Sequence, residues 1–279
     1  GFTNLQLIEG DLQITDNVSI TEINDFPALI DVAGDFSLEN NDALQNLNAF
    51  SGLISIAGDL NIKNNPSLED LLGFSQLEFI SGSFLFESNH SIQSFSDFAT
   101  LQQLNGSMHI LNNEQLLDLN GFEELDAIYD SLLIENNLNL ASIEGISQTY
   151  PYYLSYINIA NNPLLSNCSV LSICNTISNG FAELVIENNA LACLNENAVS
   201  LLCDSLGMSL LFTSQEEIDA FPSVCNPCDS ISGFVQIQGN VITNLDSLSS
   251  IVSIEGSIMI GGGAGNPMLT SVSGLDNLN

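Results

Sequence analysis

Apolar residues recur along this chain with a period of 24, and the polar residues between them keep the same spacing. Six eleven-residue stretches begin at Gly10, Gly34, Gly58, Gly82, Gly106 and Asp130 without slippage, and GDLNIKNNPSL at 58–68 is typical. Two looser copies begin at Ser155 and Ala182. With the first residue of each copy as offset 0, offsets 2 and 4 are apolar in the six regular copies, from Leu12/Ile14 to Leu132/Ile134. That alternation predicts a short strand with one face inward. Offsets 10 and 13 are apolar as well. Offset 16 is Phe26, Phe50, Phe74, Phe98 and Phe122, and offset 19 is Leu29, Leu53, Leu77, Leu101 and Leu125. Offset 22 is apolar again in Val32, Ile56 and Ile80.

A fixed period of this size marks a stacked-repeat architecture. The apolar side chains of one repeat cannot by themselves offset the conformational entropy of ordering it, so the repeats are expected to fold only as a stack. A strand with no room for a crossover helix pairs in parallel with the next repeat, about 4.8 Å away. The predicted class is an all-β solenoid. Offset 7 is asparagine in all eight copies: Asn17, Asn41, Asn65, Asn89, Asn113, Asn137, Asn162 and Asn189. Asparagine tolerates left-handed backbone at a corner, and its amide can bond to stacked copies of itself. The glycine at offset 0 suits a tight turn into the strand.

The pattern G-x-[LF]-x-[IL]-x-N-N-x-x-L-x-x-[LI]-x-x-F-x-x-L resembles the receptor L-domain type of leucine-rich repeat, closest to tandem versions in secreted surface proteins of Bacteroidota. The resemblance covers essentially the whole chain. It implies a right-handed parallel β-helix of 24-residue repeats with short capping helices. It also implies a secreted or cell-surface binding module or adhesin, often exported by type IX secretion.

Along the chain, residues 1–9 match the second half of a repeat, and 274–278 stop before a repeat closes, so the sequence is expected to be a piece of a longer polypeptide. Tyr150-Pro151-Tyr152-Tyr153 breaks the period. Val170, Leu171, Cys174 and Ile177 have helical spacing, and Asn195 is a fair N-cap for a second short helix. Thr213/Glu216 and Ser214/Glu217 form overlapping capping boxes for a third. Repeats restart at Gly233 and Gly256, the latter followed by a glycine-rich insertion at 261–265. The expected domains are a repeat module over 1–208, with a cysteine-containing cap, and the start of a second module over 209–279.

Composition narrows the partners. The chain carries 34 acidic residues, one lysine (Lys63) and no arginine, a formal charge of −33. Nucleic acid and anionic membrane are excluded as direct partners, and no segment of 1–279 reads as membrane-inserting. Such an acidic surface suits a saline extracellular medium. Cys168, Cys174, Cys193, Cys203, Cys225 and Cys228 all lie in the cap and junction, which favours disulfides. Cys168 or Cys174 is expected to pair with Cys193 or Cys203, and Cys225 with Cys228 or the remaining partner. The C-x-x-C spacing of Cys225 and Cys228 could also suit zinc, but no second pair accompanies it.

His90 and His109 are the only histidines, and neither begins a catalytic or metal constellation, so the chain is not expected to be an enzyme. No cofactor is expected. Offset 1 does stack Asp11, Asp35 and Asp59, whose mutual repulsion calcium would relieve. The outer strand positions change along the stack: offset 3 runs Gln13, Ser37, Asn61, Leu85, His109, Leu133, and offset 5 runs Thr15, Glu39, Lys63, Glu87, Leu111, Glu135. Leu85, His109, Leu111 and Leu133 are therefore expected to form an exposed, partly apolar binding patch. The expected function is non-enzymatic adhesion or recognition of a surface glycan or protein through that sheet face, outside the cell or on its surface. The alternative is a structural subunit of an extracellular fibre, binding further copies of itself.

Overall fold

The computed structural model describes residues 1–149, 154–180, 182–204, 210–224, 230–231, 235–254, 257–261 and 265–278. Tyr150 to Tyr153, the Cys225–Cys228 pair and residues 262–264 of the glycine-rich insertion lie outside the described residues. The chain divides into two compact units, Gly1–Ala190 and Leu191–Asn279. Both are mostly β, with parallel sheets and few helices.

In the first unit the alternating stretches form one long parallel sheet. Its strands are Leu12–Thr15, Phe36–Glu39, Leu60–Lys63, Phe84–Glu87, Met108–Leu111, Asp130–Glu135, Leu154–Ala160 and Glu183–Glu187. Each strand pairs with that of the next repeat. Leu12 stands beside Phe36, Phe36 beside Leu60, Leu60 beside Phe84, Phe84 beside Met108, and Met108 beside Leu132. Like offset therefore meets like offset, so any column of the sequence becomes a column in space. Offset 22 builds a second parallel sheet that the alternation did not announce. Its strands are only two residues each: Leu7–Ile8, Asp31–Val32, Ser55–Ile56, Phe79–Ile80 and Gln103–Leu104.

The phenylalanines of offset 16 close single 3-10 turns such as Leu72–Phe74 and Ser96–Phe98. Their rings form a column, with centroids 5.4 Å apart for Phe26 and Phe50, 6.3 Å for Phe50 and Phe74, and 5.4 Å for Phe74 and Phe98. Phe36 and Phe84 abut this column edge-on from the long sheet, a geometry that adds to plain area burial.

The asparagine column is fully buried from Asn41 to Asn162. Asn65 Oδ1 accepts the backbone N–H of Asn41 at 3.1 Å and its Nδ2 at 3.2 Å, while Asn65 Nδ2 donates to Leu38 O and Lys63 O, each at 2.9 Å. Bonds of the same kind link Asn89, Asn113, Asn137, Asn162 and Asn189. The left-handed backbone falls one residue earlier than expected. Asp16, Asn40, Asn64, Ser88, Asn112, Asn136, Asn161 and Asn188, at offset 6, have φ between 53° and 60°. Turning the chain there swings the offset-7 amide inward, so the two adjacent polar positions divide the tasks of turning and bonding.

The aspartates of offset 1 also find protein partners. Asp11 Oδ1 accepts the N–H of Asp35 at 2.9 Å, Asp35 Oδ1 that of Asp59 at 2.8 Å, and Asp59 Oδ1 that of Ser83 at 2.7 Å. This explains the glycine at offset 0 by close approach rather than by turn geometry. A Cβ on Gly82 would lie 2.7 Å from the carbonyl carbon of Gly58 and closer still to Asp59 Oδ1. The helix Leu171–Asn179 ends at Gly180, which is left-handed at φ 62°, the usual device for closing a helix.

The second unit repeats the scheme on a smaller scale. Leu210–Phe212, Val235–Ile237 and Ile258–Ile260 form one parallel sheet, and Ser230–Ile231 and Ser253–Ile254 another. Leu210–Phe212 is a strand that sequence periodicity did not mark. Asn195 Oδ1 accepts the N–H of Ala198 at 2.9 Å and caps the helix Glu196–Asp204. In front of the helix Gln215–Val224 only one of the two capping boxes forms, with Glu217 N–H on Ser214 Oγ and Ser214 N–H on Glu217 Oε2. Glu217 also takes the Thr213 N–H, which leaves Glu216 outside the cap. Phe212, Ile218, Phe221, Val235, Ile237 and Leu248 belong to this unit's core.

Candidate functional site

Strand register brings three of the four patch residues into one row. Leu85 lies beside His109, and His109 beside Leu133, on the outer face of the long sheet. Leu111 belongs to the neighbouring row, where it stands between Glu87 and Glu135. All four side chains are half-buried rather than fully exposed. Adjacent side chains in a parallel sheet shield one another's flanks, so a contiguous row presents its tips to solvent. The leucine row continues further than the regular repeats suggested, through Asn158 to Val185. Reading the offset-3 column across the break at 150–153 would have found both.

His109 sits in a hydrogen-bonded chain that the sequence did not reveal. Its Nε2 lies 2.9 Å from Ser131 Oγ, Ser131 Oγ donates to Ser107 Oγ at 2.9 Å, and Ser107 Oγ donates to Asp130 Oδ2 at 3.2 Å. Each hydroxyl passes its proton towards the Asp130 carboxylate, so His109 Nε2 carries hydrogen and donates to Ser131. A histidine holding its proton on that nitrogen does not activate the serine as a nucleophile. Half-burial pushes the His109 pKa below its ordinary 6.5, opposed by the negative charge of Asp130. Asp130 takes the place of the glycine of other repeats and adopts φ 66°, where the strand pairing with Leu154–Ala160 shifts register.

Polar acceptors border the leucine row. Glu135 Oε1 accepts from Asn158 Nδ2 at 2.9 Å, while Asn158 Oδ1 is buried without a partner. The sheet's one cation, Lys63, lies on the adjoining strand beside Glu87, with Nζ 3.8 Å from Glu39 Oε1. Among the described residues no group of three or more His, Cys, Asp or Glu side chains is arranged to hold a metal ion. The Asp11, Asp35 and Asp59 carboxylates are each committed to a backbone N–H. Cys168, Cys174, Cys193 and Cys203 are disulfide-bonded. No helix among the described residues is long and apolar enough to cross a membrane.

Against known proteins, the receptor L domain family model matches residues 4–97. No curated protein and no solved structure matches the chain. Receptor L domains are extracellular and non-catalytic, and they bind protein ligands. The matched stretch includes Leu85 and ends before His109, Leu111 and Leu133.

Proposed function

We propose that this chain is a non-enzymatic extracellular or cell-surface recognition module, which binds a protein partner through the outer face of the long sheet in the fourth to sixth repeats. One observation carries the reading: the in-register row Leu85–His109–Leu133, with Leu111 beside it, where polar outer positions give way to apolar ones. Glu87 and Glu135 border it with acceptors. The partner that complements this face carries an apolar strip edged by lysine or arginine. Its encounter is accelerated by opposite charge and slowed by salt.

The same chemistry disfavours the fibre alternative through this face. A second copy brings its own −33 charge and a single lysine, and so supplies almost no cation to meet Glu87 and Glu135. The right-handed winding, the module boundary between 208 and 209, and the secreted adhesin setting with type IX export belong to this proposal. The four disulfide-bonded cysteines and the L-domain match over 4–97 support an extracellular setting, and the strand Leu210–Phe212 beginning a new sheet supports the boundary.

The test uses the full chain against amphipathic peptides whose leucine strip is edged by lysine in one series and by glutamate in another. The lysine-edged series is expected to bind, with affinity falling as salt rises, and Leu85→Asp or Leu133→Asp is expected to remove that binding. Equal binding by these variants would overturn the reading, as would ordered filaments that the same substitutions disperse.

A further inference from the structure

A second site lies away from the leucine row, where the third to fifth repeats form an open polar groove of about 650 Å³. It exists because the fourth repeat is small at three positions, Ser91, Ser94 and Ser96. Its neighbours there carry Ser67, Asp70 and Leu72 in the third repeat and Gln115, Asp118 and Asn120 in the fifth. Stacked like-for-like columns set Ser94 and Ser96 as a notch between larger side chains, and Ser67 and Ser91 extend it.

The groove is preorganised. Asp97 Oδ2 accepts the N–H of Leu71 at 2.9 Å and Asp70 Oδ1 that of Leu72 at 3.3 Å, so each carboxylate is held by backbone and keeps one oxygen free. Ser91 Oγ donates to Pro66 O at 2.7 Å. The side-chain amides of Gln93 and Gln115, by contrast, make no hydrogen bond to the described residues and offer both donors and acceptors. Leu72 is 48% exposed and gives the groove one apolar surface.

We infer that this groove binds a neutral oligosaccharide. An anion would meet Glu69, Asp70 and Asp97 with no base to receive it. An apolar ligand would strip water from carboxylates and amides and return no hydrogen bonds. A metal ion needs convergent ligands, and these carboxylates form no such group. An organic cation would satisfy the carboxylates and leave the two glutamine NH2 groups unmatched. Vicinal sugar hydroxyls match the whole set, because each donates to a carboxylate oxygen and accepts from an amide. The apolar face of a sugar ring fits against Leu72. With repeats about 4.8 Å apart, the groove crosses roughly 10 Å of the stack, which suits a short chain rather than a single sugar.

The experiment titrates the full chain with neutral hexasaccharides of glucose, mannose, xylose and N-acetylglucosamine, followed by saturation-transfer NMR and calorimetry. At least one is expected to bind. Ser94→Tyr fills the notch from the solvent side and is expected to weaken that binding about tenfold, or about 1.4 kcal/mol. Asp97→Asn keeps an acceptor for the Leu71 N–H and is expected to weaken it less. Leu85→Asp on the sheet face should leave it unchanged, which separates this site from the protein-binding row. The inference is overturned if none of the four binds, if Ser94→Tyr binds as well as the parent chain, or if only a lysine-rich peptide occupies the groove.

Discussion

The buried asparagine corner and the outer face of the long sheet belong to the same strands, yet they vary along the stack in opposite ways. The corner repeats one residue eight times, and each amide completes the bonding of its neighbours. The outer face passes from Gln13, Ser37 and Asn61 to Leu85, His109 and Leu133. A repeat protein must be identical from repeat to repeat wherever one repeat supplies the hydrogen bonds of the next. It is free to change only where the neighbour makes no such demand. Positions that depart from the period without disturbing the stack are therefore the ones to search for recognition.

The largest expected effect comes from breaking the corner. Asn89→Ala strands the N–H of Asn65 inside the protein and removes a donor from the carbonyls of Ile62 and Glu87, the latter still accepting the Asn64 N–H. With about 1–3 kcal/mol for the buried N–H left unpaired and about 1 kcal/mol for each of the two other hydrogen bonds lost, the loss should reach about 2–5 kcal/mol, read as a fall in the urea midpoint of the full chain. An unchanged midpoint would mean that water replaces the amide and that the column is decorative.

Close approach gives the next contrast. Gly82→Ala forces a Cβ against the backbone of Gly58 and the carboxylate of Asp59, whereas a Cβ at Gly10 meets nothing within 4 Å. The first substitution should cost about 1–3 kcal/mol and the second within about 0.5 kcal/mol. Equal costs would show that glycine at offset 0 serves turn geometry after all.

This pair also shows what the sequence made legible. The columns of Leu, Phe and Asn were readable because each apolar or amide side chain repeats at one offset and register then stacks it. The three helices were readable from spacing and caps, Asn195 most clearly. The bond from Asp59 to the Ser83 N–H was not readable, because a carboxylate column looks the same whether it is solvated, calcium-bound or turned onto backbone. The two-residue strands at Asp31–Val32 and its neighbours were too short for alternation to mark them. Within the candidate site, Leu85, His109, Leu111 and Leu133 were identified from periodicity. The Ser131–Ser107–Asp130 chain behind His109 was not, because its links from His109 to Ser131 and from Ser107 to Asp130 join unlike offsets of successive repeats.

On the outer face, Leu85→Asp and Leu133→Asp should cost only about 1 kcal/mol in stability, because both side chains are already half in solvent. A fall comparable to that of Asn89→Ala, in the same urea titration, would mean that the face is part of the core. The distinction between corner and face would then collapse.

The smallest effect concerns His109 and sharpens the comparison by pH. Its folded pKa is lowered from 6.5, with burial as the main cause and Asp130 opposing it. Just below pH 6.5 the unfolded chain binds this proton more readily than the folded chain does. The stabilisation is complete above the unfolded pKa and is lost as pH falls through 6.5 towards the folded value. His109→Gln keeps an amide donor for Ser131 and cannot titrate. The 34 carboxylates are common to parent and variant, so their acid sensitivity cancels in the difference between the two stability curves. The parent is expected to lose stability relative to His109→Gln as pH drops from 7.5 to 5, read by urea midpoints at each pH, with no divergence above 7. Parallel curves through the whole range would mean that the proton on His109 is equally at home in the folded and unfolded chains. The imidazole would then be as well solvated as Gln13, Ser37 and Asn61, the polar residues of its column.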